Sequence, residues 1–438
     1  MKQISYLWHT RNFKIIVLVG LLLRLLVAPF SAYPWDVYSW YETSMGVVTG
    51  SNLYNRQFYP YPPIWLLVMA PFAYLYAHLS NIFNIHPISS EPLFQLGYPS
   101  PLIVDCLFSL LIKIPIILSD LAICILLYKM TNRLTKDPRL CKMVATAYFL
   151  NPLTIWITAF AGTFDALPVL FSLIAFASLI NEKYERAGVF TGLSIAAKYY
   201  ALLLIPAAFF FIKENNKRKL LNYCLFLLLP LALIILPFFS LDSNNLINAL
   251  LSPAVGAKIG NLSAWSFLHL FNIYSVPWYI ATLDVVVIFI IILLNYKRVN
   301  KTYQGTDLIQ KFNEMVLFAF FIFYAGFRLT NEQYLIWIMP FFILYSTIPH
   351  SSAKISSPFT IVFLTSVINY NFSIFAPILT IGSMKSGALS FISFFDLKST
   401  QMAINLLSVP LWISFVYIVL KNIKNLWKAN TTTTSKEM

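Results

Sequence analysis

The side chains best placed to do chemistry are few and far apart. Asp36 stands in the run Tyr33-Pro34-Trp35-Asp36-Val37-Tyr38-Ser39-Trp40-Tyr41, directly after the first long apolar segment. A carboxylate held among aromatic rings loses part of its hydration, which raises its proton affinity and suits it to accept a proton from a hydroxyl. A solvated acid at the end of a span is the plainer reading of the same position. Lys198 precedes Tyr199 and Tyr200 within the apolar stretch 187–212, which has basic tracts on both flanks. A lysine there can hold an anionic headgroup at the membrane surface, or simply snorkel to it. Lys258 and Arg328 are the reserve cations, and Glu42, Arg56, Asp165, Asn261, Asn331, Glu332 and Gln333 are further polar residues of the predicted connections. Asp105, Lys113 and Asp120 lie inside a continuous apolar run, where charges are costly and either pair or face a cavity. Lys113 and Asp120 share one face of the predicted helix, which fits a structural pair and a substrate contact equally.

The elements that must position these groups are membrane helices. Hydrophobic residues make up 59% of the 438 and charged residues 11%, with a mean hydropathy of +0.72. So few charges cannot cover so much apolar surface in water, and the composition specifies an all-α polytopic membrane protein. The net charge of +14 does not mark a nucleic-acid binder. Its basic residues fall in short tracts between apolar runs: Lys129 to Lys142, Glu182 to Arg186, Lys213 to Lys219, Lys297 to Lys301 and Lys421 to Lys428. That is the pattern of cytoplasmic loops. Spans are expected near 15–31, 105–128, 143–160, 165–181, 220–239, 274–295, 313–328, 334–348, 355–377 and 401–420. The first is read as a retained span, because Tyr33-Pro34-Trp35-Asp36 follows it in place of a small-residue cleavage site. Basic flanks on both sides of 187–212 require an even number of crossings, met by a broken helix or hairpin with Lys198 near its tip.

Residues 32–104 then form a long first external loop, with an interfacial or re-entrant helix over 62–82. Residues 1–425 read as one domain and 426–438 as a polar cytoplasmic tail. The four cysteines, Cys106, Cys124, Cys141 and Cys224, show no paired spacing and read as small apolar residues of the helices. No nucleotide-binding loop, dinucleotide fingerprint, zinc-protease or nucleophile-elbow motif occurs, and no cytosolic domain is large enough to bind a nucleotide sugar.

Five local patterns then align in order with a known family. They are Asp36 with Gly50-Ser51-Asn52-Leu53-Tyr54 and Tyr59-Pro60-Tyr61-Pro62-Pro63, the helix with embedded Asp120, Ala197-Lys198-Tyr199-Tyr200 before Pro206, Asn261-Leu262-Ser263-Ala264-Trp265, and Thr330-Asn331-Glu332-Gln333-Tyr334-Leu335-Ile336-Trp337. In these the chain resembles polyprenyl-phosphate-sugar-dependent glycosyltransferases of the GT-C fold, most of all the catalytic subunit of GPI mannosyltransferase I and related prokaryotic mannosyltransferases. The resemblance implies a bundle of about 10–13 transmembrane or re-entrant helices. It also implies inverting transfer of a sugar, mannose first, from a lipid phosphate to a hydroxyl of a glycan, glycolipid or protein.

On that resemblance Asp36 is the base. Lys198, Lys258 and Arg328 hold the donor phosphate. Tyr59, Tyr61, Asp165, Asn261, Glu332, Gln333 and Tyr334 bind substrate. The family's paired Asp-x-Asp reads Asp36-Val37-Tyr38 here, so a divalent metal held by that pair lacks its second ligand and a single-base mechanism is expected. Membrane lipids and a small membrane subunit are the implied partners. The membrane is the plasma membrane in a prokaryote and the endoplasmic reticulum in a eukaryote. The alternative is a transporter or flippase of a lipid-linked or small solute, which internal inverted repeats would favour.

Overall fold

The computed structural model describes residues 11–255 apart from 52–53, 55–58, 95–96 and 213–216. It also describes 305–347 apart from 329, the segment 372–381, and single positions or short runs elsewhere. In chain order the main helices are α1 (Arg11–Val27), α2 (Pro34–Val48), α3 (Ile64–Phe83), α4 (Cys106–Thr135), α5 (Pro138–Phe149) and α6 (Ala166–Ile180). There follow α7 (Tyr184–Ala197), α8 (Leu204–Phe211), α9 (Lys217–Leu241), α10 (Ser243–Val255), α11 (Gly305–Gly326) and α12 (Leu335–Thr347). Two short antiparallel strands, β1 (Ile88–Ser89) and β2 (Leu102–Ile103), precede α4.

The protein is an all-α membrane bundle. Among the described residues four helices are long and apolar enough to cross a membrane: Phe13–Phe30, Ile64–Phe83, Cys106–Thr135 and Lys217–Leu241. A fifth candidate is the pair Pro138–Phe149 and Pro152–Ala161, bent by 40°. The single span expected over 143–160 is therefore broken, because Asn151-Pro152 ends one helix and starts the next, and residues 156–161 continue as a π-helix. The spans expected near 274–295, 355–377 and 401–420, and the tail 426–438, lie largely or wholly outside the described residues. The first loop also contains more helix than expected. Pro34 at the first helical turn, with its missing N–H and preset φ, starts α2 in an aromatic run of modest helix propensity.

Pairwise packing gives the bundle two chemically different ends. Phe13 of α1 packs on Tyr128 of α4, and the Ala28 carbonyl at the other end accepts from Ser109 and Lys113, so these helices are antiparallel. Gly188 and Gly192 of α7 face successive turns of α9. A Cβ at either would stand 2.3 Å from a backbone oxygen, of Tyr223 and Leu227 respectively, so the two backbones meet where only glycine fits. Because both positions advance together, α7 and α9 run parallel. The chain must therefore return between them, and residues 199–211 make that return after Lys198 breaks the helix in extended geometry. The broken hairpin with Lys198 at its tip is thus what the chain forms.

Ion pairing agrees with this direction. Lys219 at the start of α9 meets Glu182 at the start of α7 at 3.5 Å. Arg133, Lys183, Arg186, Lys217 and Lys219 accordingly gather at one end. Ser31, Asp36, Asp105, Asp165 and Lys198 belong to the other.

The buried charges inside α4 are both satisfied, but not by each other. Two turns along a helix put Lys113 and Asp120 about 10 Å apart in Cα height, too far for a direct pair. Asp120 instead pairs with Arg24 of α1, with Nε at 3.0 Å, and accepts from Tyr148 at 2.8 Å and Thr158 at 2.7 Å. Arg24 completes its fork on the carbonyls of Phe149 and Gly20 and the hydroxyl of Thr154. Lys113 donates to the carbonyls of Ala28, Ser31 and Phe160.

Candidate functional site

The site assembles where helix ends from distant parts of the chain converge. Asp165 precedes α6 after the turn Gly162-Thr163-Phe164. Gly162 holds φ at +80°, and a Cβ there would stand 2.7 Å from Lys113 Cε, so the turn needs glycine for both backbone and space. An aspartate at this point of a helix commonly caps it, yet no side-chain cap is made. The carboxylate instead points inward. Its Oδ1 accepts from Lys198 Nζ at 2.7 Å and from Trp337 Nε1 at 2.5 Å, and the ion pair is almost wholly buried.

Four aromatic rings surround the Lys198 ammonium, those of Phe164 at 4.7 Å, Tyr61 at 5.1 Å, and Tyr334 and Trp337 at 5.9 Å. Such faces attract a cation that burial has stripped of water. Trp337 is clamped between Tyr200 and Tyr334, each ring stacked at 4.1 Å. Trp65 stacks on Phe164 at 4.9 Å, and Trp40 meets Phe164 edge-on.

Asp36 occupies the first turn of α2, where the helix N-terminus favours an acid. It keeps part of its surface exposed while its carboxyl is densely surrounded by protein. Burial pushes this carboxyl up to about 6, the Lys198 cation pulls it back, and the Asp165 charge adds to the rise. The same carboxylate acts on the hydroxyls of Tyr33 and Tyr61, which burial first and Asp36 second hold above their ordinary range. Glu332, itself buried, bears on Tyr33 and Tyr334. Asp36, Asp165, Lys198 and Glu332, with Tyr33, Tyr61, Tyr334 and Trp337, therefore form one electrostatic group.

Not every residue expected at a site takes part in this group. Tyr59 uses its hydroxyl twice locally, donating to the Pro62 carbonyl at 3.0 Å and accepting from Leu66 N–H at 3.1 Å. It thereby fixes the Pro-rich turn that presents Tyr61. Arg328 and Gln333 are buried in and beside the connection 327–334. Lys258 and Asn261 lie outside the described residues, but their neighbours dock on that connection. Leu262 N–H donates to the Thr330 carbonyl at 3.1 Å, Ser263 to that of Phe327 at 3.0 Å, and Trp265 to that of Gly326 at 2.6 Å.

Sequence reasoning named Trp337 only as the end of an aligned pattern and passed over Phe164. The signal for Trp337 was its indole N–H, which needs a partner when buried. Among the described residues no three His, Cys, Asp or Glu side chains gather as a metal-binding group.

Against this geometry, the sequence model described as glycosyltransferase family 87 matches residues 99–322, just over half of the chain. The comparison with curated proteins finds no match. The matched segment includes Asp165 and Lys198, while Asp36, Tyr61 and the 327–337 segment flank it.

Proposed function

The chain belongs to glycosyltransferase family 87, and from that premise we propose that it moves one sugar from a polyprenyl-phosphate donor to an acceptor hydroxyl, with inversion. Mannose is the sugar favoured by the motif resemblance. The observation that carries the reading is Asp36, a carboxyl raised to about 6 beside a buried Lys198–Asp165 pair walled by aromatic rings. That is an equipped proton acceptor next to a cation and an apolar surface, which is what inverting transfer from a lipid phosphate requires.

In the reaction the acceptor oxygen attacks the anomeric carbon while Asp36 takes its proton. The bond from that carbon to the phosphate oxygen breaks, and its electron pair leaves on the polyprenyl phosphate. Lys198 faces the phosphate, with Arg328 as a second cation near the same connection. Positive charge suffices here because the departing phosphate needs charge stabilisation and not a strong acid. Tyr61 and Tyr334 line the sugar, and Trp337, held between Tyr200 and Tyr334, backs that wall. Glu332 and Gln333 border it, and Asp165 holds Lys198 in place. The site opens on the external or lumenal side, with α3 lying at that surface.

Purified protein incubated with mannosyl phosphoryl polyprenol should release polyprenyl phosphate. Asp36→Asn should lower turnover by about 10²–10⁴-fold, the usual worth of a positioned base. Unchanged turnover in that variant would remove Asp36 from the mechanism. Failure of the wild type with every lipid-phosphate sugar would remove the donor.

A further inference from the structure

One oxygen in this site lacks a partner. Asp165 is fully buried, and two donors, Lys198 and Trp337, both bind its Oδ1. Its Oδ2 is equally inaccessible and accepts no hydrogen bond among the described residues. The other two aspartates buried among the described residues are treated differently. Asp120 is bonded through both oxygens, by Arg24 and Thr158 on one and Tyr148 on the other. Asp105 receives Phe108 N–H on Oδ1 and the Tyr76 hydroxyl on Oδ2. An unmet buried carboxylate oxygen is costly, so its persistence beside a reacting centre calls for a donor that arrives with the substrate.

The chemistry of that donor is restricted. An ionised carboxylate only accepts, so its partner must carry an N–H or O–H. A phosphate oxygen would meet like charge at Oδ2, next to the charge of Asp36. Tyr61 and Tyr334, which face Lys198 and keep part of their surface exposed, offer apolar ring surface that suits the C–H side of a sugar ring. A sugar hydroxyl meets both conditions, and the attacking hydroxyl is already assigned to Asp36.

We infer that Asp165 Oδ2 accepts a hydrogen bond from a non-reacting ring hydroxyl of the transferred sugar, which makes Asp165 the residue that selects the sugar. This rests on the donor reading given above. A site built to bond a hydroxyl rejects the analogue that lacks it by up to about 10⁴-fold, because the buried partner is then left unmet.

The test compares kcat/KM for mannosyl phosphoryl polyprenol with that for its monodeoxy analogues, each lacking one ring hydroxyl, in the wild type and in Asp165→Asn. One analogue should be worse than the parent by about 10²-fold or more in the wild type. The same omission should cost less than about tenfold in Asp165→Asn, where the charged acceptor is gone. If no analogue is discriminated by the wild type, a trapped water occupies Oδ2 and the inference fails, whether or not the variant folds. Equal discrimination in both proteins assigns the hydroxyl to another residue and also overturns it. A wild type that turns over no such donor takes both this inference and the donor reading down. Turnover without discrimination removes this inference alone.

Discussion

At the scale of single residues, the division of labour proposed for Asp36 and Asp165 follows from what surrounds each carboxylate. Asp165 is tied to an ammonium and an indole N–H, so its charge is engaged. Asp36 has the nearby Lys198 charge without a direct bond to it, and burial dominates its proton affinity. A base works only when deprotonated, so kcat/KM should fall as pH drops through about 6 and level off above it. An ordinary aspartate would place that limb near 4. Lys198→Met should shift the limb of its residual activity to higher pH, since the cation that favours ionised Asp36 is lost. A pH profile of the residual activity reads this directly. A limb that stays in place or moves down would mean that another group is titrating.

At the scale of elements, the two acids are kept in register by a lysine that touches neither. Lys113 of α4 ties the elbow between α1 and α2, through Ala28 and Ser31, to the end of the π-helix that leads to Asp165, through Phe160. Backbone bonds run beside it, from Tyr33 N–H to the Ala161 carbonyl at 2.8 Å and from Ala32 N–H to that of Ile374 at 2.6 Å. Lys113→Met keeps the length of the side chain but takes the lysine donor from the Phe160 carbonyl and leaves Ser109, with one hydroxyl proton, to serve both Ala28 and Ser31, at about 1–3 kcal/mol for each carbonyl left unmet. The expected result is a lower thermal midpoint with kcat reduced about tenfold and donor KM changed less than about threefold, because the acids move and the binding wall does not. A lower midpoint with unchanged kcat would show that Lys113 only holds the bundle together.

These ties also explain what the sequence could and could not tell. Asp36, Lys198 and Asp165 were legible singly, as charges at the ends of apolar runs, and the hairpin around Lys198 followed from counting basic flanks. Their meeting was not legible, because it depends on how helices distant in sequence pack. Arg24 went unremarked inside a continuous apolar run, so Asp120 was matched to Lys113 on its own helix and not to its partner across the bundle. Trp337 acts through an N–H whose target lies far away in sequence.

At the scale of the whole molecule, the charges are sorted along the bundle axis, and this sorting predicts which way the protein faces. The tips carrying Arg133, Arg139, Lys183, Arg186 and Lys217 lie at one end. Asp36, Asp165 and Lys198 belong to the other, where β1 and β2 precede Asp105. Lysines and arginines in short loops are retained on the cytoplasmic side, so the site should open on the opposite face, to which the proposed lipid-phosphate donor must be flipped. Glu91, exposed beside the β1–β2 pair, and Arg139, exposed at the start of α5, report the two faces. Cys124 and Cys141 are buried, so replacing Cys106 and Cys224 with serine gives a quiet background. In intact cells Glu91→Cys should react with a membrane-impermeant maleimide, and Arg139→Cys should react only after permeabilisation. If the pattern is reversed, the active site faces the cytosol. A flipped lipid donor would then lie in the wrong leaflet, and the acceptor would have to be sought among cytosolic hydroxyls.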